Sequence, residues 1–314
     1  MNSRSYLISG LVCLSLLSSA PVFAQTTGGP KLGELQTHRV KVGMTVSARS
    51  GPCRGIVATS PVPTDWPEQV VEVIEEQVSP FAKINYRMVA GTVKQLVVEI
   101  PMLPAGEEAE VMLTLEIRRQ AIAPPDDTSV YIIPKKLDKQ TRLYLGGSPF
   151  IESRHPKIRS LAKETMAGKE TTWEQVAAFH QWIRENVKVQ DGPLKGGFRA
   201  MKDGSGSHED ISSLFIALCR VSGIPARTVW VPGSSYAEFY LEDDGGQGHW
   251  FPCEVTGPGE FGTAQASMPI YQKGDNFRVP ERPRDPQRYV SEFLTGAGGQ
   301  PKVKFVREIS GAGL

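Results

Sequence analysis

Between Ser207 and Glu254 the chain dictates its local structure more tightly than anywhere else. Ser207 suits a helix N-cap, and Asp210 at the third helical position completes a box-like start. Ile211, Leu214, Phe215, Leu218 and Cys219 then recur at the spacing of one buried helix face. Gly223 and Pro225 end that helix: glycine adopts the left-handed C′ conformation, and proline cannot continue the hydrogen-bond ladder. T-V-W-V, E-F-Y-L and H-W-F-P-C-E-V read as three strands, the second and third joined by the turn-rich E-D-D-G-G-Q-G. A buried helix followed by a run of strands is the pattern of an α+β unit.

Within this stretch, G-S-G-S-H-E-D and R-V-S-G-I-P-A-R, followed by S-S-Y-A-E and W-F-P-C-E, resemble the core of the transglutaminase-like superfamily. The resemblance runs from Trp173 to Thr256 and implies a papain-like helix-plus-antiparallel-sheet domain. It also implies a chemistry. A Cys thiolate at the helix start attacks an amide, a His on the next strand takes the proton, and an Asp on the third strand orients that His. The family's Cys stands twelve residues before the Arg of R-x-x-G-I-P-A-R, which here is His208. The family's His falls on Ser234, and its Asp on Glu254. Glu for Asp is a mild change, whereas the loss of Cys and His removes the nucleophile and the base. The triad positions are therefore His208, Ser234 and Glu254, with no catalytic residue assigned.

Other residues do not replace what is lost. Cys219 lies on the apolar stripe and reads as a small buried hydrophobe. Cys253 is adjacent to Glu254 on a strand, so it faces the opposite way, as does His249. A permuted set, with Ser234 as nucleophile, His208 as base and Glu254 as acid, would make an active amide-directed hydrolase or transferase. It is disfavoured because the middle position, which touches both others in the family, holds the Ser. A metal reading of His208, Asp210, His249 and Glu254 lacks any metal-specific spacing, and no cofactor motif occurs. The polar groove that remains, with Tyr236, Glu238 and Trp250 as further candidates, is expected to bind a peptide or protein ligand without cutting it. On the preceding helix, His180 falls within the apolar stripe of Trp173, Val176, Ile183 and Val187 and reads as a core or rim histidine.

Around this unit, residues 25–125 show period-two patterning broken by Pro-containing turns, as in Q-L-V-V-E-I and E-V-M-L-T-L-E-I, and read as a β-sandwich. Within them Gln25 to Thr37 is expected to be a loose lead-in. Residues 126–142, entered through the Pro/Asp-rich junction A-I-A-P-P-D-D-T, read as a linker, 143–256 as the transglutaminase-like domain, and 257–314 as a loop-rich C-terminal extension. In that extension Arg288 to Leu294 suggests a short helix, and Val303 to Ile309 a closing strand. Residues 190–206 read as loop and turn. Residues 1–24 look like a secretory signal: Arg4, an apolar run from Tyr6 to Leu17, and a Val22-Phe23-Ala24 cleavage site. Cleavage would leave a periplasmic or extracellular chain with no membrane span. Lys plus Arg is 35 against 34 for Asp plus Glu, which gives no electrostatic footprint for nucleic acid. Cys53, Cys219 and Cys253 remain after cleavage, an odd count, and export permits a Cys53–Cys253 disulfide.

Overall fold

A computed structural model describes residues 28–311; the leader at 1–24 lies outside the described residues. The chain begins with six strands: β1 (Lys31–Ser47), β2 (Cys53–Val62), β3 (Gln69–Val78), β4 (Lys83–Val89), β5 (Val93–Leu103) and β6 (Glu108–Ala123). Alternate residues point to one core, Val40, Val42, Met44 and Val46 from β1 facing Leu96, Val98 and Ile100 from β5. Each such side chain contributes ~1.5–3 kcal/mol on burial. Gly43 is required here, since a Cβ at that position would lie 2.1 Å from the Val111 carbonyl oxygen on β6. The lead-in is shorter than expected, because Lys31 to Thr37 already pair with β6.

The expected linker is stitched down rather than free. Tyr131 is buried in the second core, Ile132 exchanges backbone hydrogen bonds with Glu242, and Asp138 caps the short helix α1 (Lys139–Arg142). Helices α2 (Pro156–Met166) and α3 (Thr172–Asn186) follow, the latter opened by a full Thr171–Glu174 capping box. The region expected to be loop contains β7 (Lys188–Val189), helix α4 (Gly197–Asp203) and β8 (Ser205–Gly206). Gly197 sits where a Cβ would come within 2.6 Å of the Leu214 amide nitrogen, so only glycine fits where α4 begins.

Helix α5 (His208–Val221) is the centre of the second core, with every residue from Asp210 to Arg220 buried. Arg220 ties its end down, with Nε donating to the Ala226 carbonyl at 2.9 Å and Nη2 paired to Asp275 at 2.7 Å. Gly223 takes φ +84°, the left-handed stop that the sequence implied. Strands β9 (Ala226–Val231), β10 (Ser234–Glu242), β11 (Gly248–Cys253) and β12 (Gln272–Lys273) form an antiparallel sheet in the order β11-β10-β9-β12. Ala237, Phe239, Phe251 and Cys253 pack with α5 in one core, and their neighbours on the strands face the other side.

The last segment differs most from expectation. A hairpin of β13 (Phe277–Val279) and β14 (Arg282–Gln287) leads to β15 (Phe293–Gly298) and β16 (Lys302–Gly311). Strand β15 pairs with β2 and β16 with β1, giving two four-stranded sheets, β16-β1-β6-β3 and β15-β2-β5-β4. The chain therefore returns to complete the sandwich. No helix forms over Arg288 to Leu294, because residues from Phe293 onward are taken up by pairing with Thr59 and Ala58. The fold is α+β: a β-sandwich and a helix-plus-antiparallel-sheet domain. No helix among the described residues is long and apolar enough to cross a membrane.

Candidate functional site

The head of α5 is fixed by Asp210. Its carboxylate accepts from Ser207 N (3.0 Å) and Ser207 Oγ (2.8 Å) through one oxygen. The other oxygen accepts from Lys195 N (2.8 Å) and Gly196 N (2.6 Å). Ser207 Oγ in turn accepts from Asp210 N at 3.2 Å, so the capping box is complete. His208, next in line, is exposed, and its Nδ1 lies 2.8 Å from Thr256 Oγ1.

His208 and Ser234 line one cavity of about 470 Å³ in front of this helix end. Glu254 does not line it. Its carboxylate accepts from Gln265 N at 3.2 Å, and burial pushes its pKa up against the pull of that bond and of Arg119. Among the described residues no hydrogen bond joins His208, Ser234 and Glu254 to one another. The permuted triad is thus not assembled. His249 is also engaged elsewhere, with Nε2 2.7 Å from the Asp243 carboxylate, and no metal-sized group of His, Cys, Asp and Glu occurs among the described residues.

The further groove candidates lie on the opposite sheet face, against the sandwich. Tyr236 is buried, its hydroxyl accepting from Arg119 Nη2 at 3.0 Å. Glu238 is buried between Arg227 (2.9 Å) and Lys273 (2.5 Å). Trp250 lies under the Arg227 guanidinium, 4.0 Å from its ring centre. These residues share a parity along their strands that is opposite to Phe239 and Phe251, and none of the three lines the cavity.

What lines it instead comes from the chain's end, which the sequence marked as loop-rich with a short helix at Arg288 and a closing strand at Val303. Tyr271 precedes β12, Arg288 and Tyr289 follow β14, and Arg307 lies on β16. Arg288 forms an ion pair with Glu209, one residue beyond His208. Arg307 donates to the Tyr289 hydroxyl (3.0 Å) and the Glu292 carboxylate (2.6 Å). Trp230 makes an edge-to-face contact with Tyr289, ring centres 5.2 Å apart. No spacing in the sequence pointed to these residues; they meet only through strand pairing.

The three cysteines of the described residues are free and fully buried. Cys53 is in the sandwich core while Cys219 and Cys253 are in the helix–sheet core, so the Cys53–Cys253 disulfide is not formed. Burial pushes the Cys219 and Cys253 thiols well above their ordinary value.

The family model described as the transglutaminase-like superfamily matches residues 159–255, from α2 to the end of β11. This is a transglutaminase-like domain. Its matched span contains His208, Ser234 and Glu254. A solved structure of a candidate cysteine protease from Cytophaga hutchinsonii superimposes with TM-score 0.58 and 17% identity, covering 91% of this chain and 93% of that one. That likeness extends across both domains and concerns the fold alone. A candidate protease from Parabacteroides distasonis matches with TM-score 0.28 and 14% identity, covering 67% of this chain and 42% of that one. No curated protein matches the chain.

Proposed function

We propose that the protein is an exported, non-catalytic member of the transglutaminase-like group that holds a peptide or protein segment in the α5 cavity, in the cell envelope. One observation carries the reading: the helix start that would present a thiolate presents His208, while Cys53, Cys219 and Cys253 are all 0% exposed. A thiolate at a helix N-terminus is activated because it is accessible and favoured by the helix dipole. A thiol sealed in an apolar core has neither property. The cavity persists without the nucleophile, and a cavity of this size suits a small ligand or a short chain segment. Support for export comes from the leader-like residues 1–24.

The test is labelling by cysteine- and serine-directed activity probes, together with amine incorporation into a glutamine peptide. Expected is no labelling and no incorporation by the wild type. Labelling that disappears in Ser234→Ala would overturn the reading and establish an amide-directed hydrolase or transferase at His208, Ser234 and Glu254. The double variant His208→Cys, Ser234→His serves as the positive arm, returning thiol and imidazole to their family positions.

A further inference from the structure

Six buried side-chain nitrogen or oxygen atoms lack a hydrogen-bond partner among the described residues. Three of the six belong to residues lining the α5 cavity: Ser235 Oγ, Tyr271 Oη and Arg307 Nε. Ser235 and Tyr271 are 5% and 1% exposed, so solvent does not replace the missing partner. Such groups are costly in a free protein and are rarely retained without a use.

Their placement is ordered. Ser235 pairs with Trp230 across β10 and β9, and Tyr271 donates its backbone N–H to the Trp230 carbonyl at 2.9 Å. Arg307 reaches in from β16 with its guanidinium 4.5 Å from the Tyr271 ring centre. Every one of the three can donate a hydrogen bond. Arg307 Nε–H can do nothing else, and burial raises the Tyr271 pKa so that the phenol keeps its proton. The complement to such a set is a ligand rich in acceptors.

Charge narrows the ligand further. Arg288 is already paired with Glu209, and Arg307 with Glu292. An incoming carboxylate would have to compete with both glutamates, whereas a carbonyl oxygen needs only the idle N–H and O–H groups. Trp230 and Tyr289 supply apolar ring surface beside those donors. We propose that the cavity selects an uncharged peptide segment, whose backbone carbonyl oxygens accept from Ser235, Tyr271 and Arg307 while its side chains lie against Trp230 and Tyr289. This deepens the peptide-binding reading and rests on it. All three donor atoms are sealed in the free protein, so seating the ligand must turn them towards the cavity; Arg307, with 28% of its side chain exposed, has room to turn.

The test sets binding against melting, because the two should move in opposite directions. Tyr271→Phe and Ser235→Ala each delete an unpartnered hydroxyl from the free protein and a contact from the complex. The probes are two pools of N-acetylated tetrapeptides with mixed uncharged side chains, one C-amidated and one with free C-terminal carboxylates. Binding is read by saturation-transfer NMR and equilibrium dialysis. The amidated pool should bind the wild type about tenfold better than the free-acid pool, and Tyr271→Phe should weaken it about tenfold while raising the Tm of the free protein. Equal binding of both pools, or tighter binding of the acids, would overturn selection for an uncharged ligand while leaving the cavity a peptide site. So would binding unaltered in both hydroxyl variants. If neither pool binds at millimolar concentration, the peptide-binding reading falls with it.

Discussion

His180 faces Phe261 from α3, ring centres 5.5 Å apart, and is half-buried, as its position in an apolar stripe implied. Burial, and secondarily the charge of Arg184, pull its pKa down to about 4 from the ordinary 6.5. Between those two values the unfolded chain carries a proton that the folded chain does not. Stability therefore rises with pH through this window and is lost as pH falls from about 6.5 towards about 4. Glu209 and Glu254, whose pKa values burial raises, act in the opposite sense, gaining a proton more readily in the folded state. Comparing His180→Gln with wild type isolates the imidazole from these carboxyls. The fall in Tm on going from neutral to mildly acidic buffer should be smaller in the variant than in the wild type. Equal falls would mean that the folded protein protonates His180 as readily as the unfolded chain does.

At the scale of elements, α5 was readable because its signals are local: Ser207, Asp210, the apolar stripe and Gly223 all act within a few residues of one another. Helix α4 was not. Its N-cap is Gly196, which offers no side-chain hydrogen bond, and its seven residues owe their place to the Leu214 backbone and to Asp210. Strand β15 hid behind its glycines, Gly296 and Gly298, which break any alternation, and it became a strand by pairing with β2. The same division governs the site. Motif spacing pointed to His208, Ser234 and Glu254, of which the first two line the cavity, but Tyr271 and Arg307 needed pairings such as Val42 with Arg307, which no local pattern encodes. Asp210 links the two kinds of information, since it closes the local capping box and also accepts from the Lys195 and Gly196 amides. Asp210→Ala should cost about 3 kcal/mol, because it leaves buried donors unmatched as well as removing a cap. Urea unfolding at neutral pH would measure this, with Asp210→Asn falling between variant and wild type. A cost under ~1 kcal/mol would show that water replaces the carboxylate at these amides.

On the scale of the whole molecule, the sandwich and the helix–sheet domain meet through a buried ionic cluster that lies beside an apolar one, in which Ile122 of β6 packs with Val229, Tyr236 and Ile270. Lys273 on β12 lies 2.5 Å from Glu68, just ahead of β3 in the sandwich, and 2.5 Å from Glu238 on β10. Arg227 closes the chain at 2.9 Å from Glu238. Burial alone would raise the Glu238 pKa, but Lys273 and Arg227 outweigh it and hold the carboxyl below its ordinary value. Its share of stability is thus present above the usual carboxylate range and is lost as pH falls through the lowered value. Lys273 is the only member placed to serve both carboxylates, so removing it strands Glu68 while Glu238 keeps Arg227. Lys273→Met should therefore destabilise the protein by about 3–5 kcal/mol, mostly as the penalty of an uncompensated buried charge. If that is the cause, neutralising the stranded group in Lys273→Met, Glu68→Gln should recover part of the loss, and the double variant should be more stable than the single one. A double variant that is worse than Lys273→Met by the full cost of a second independent mutation would show that the two residues contribute separately, and that the two domains are held by packing rather than by this cluster.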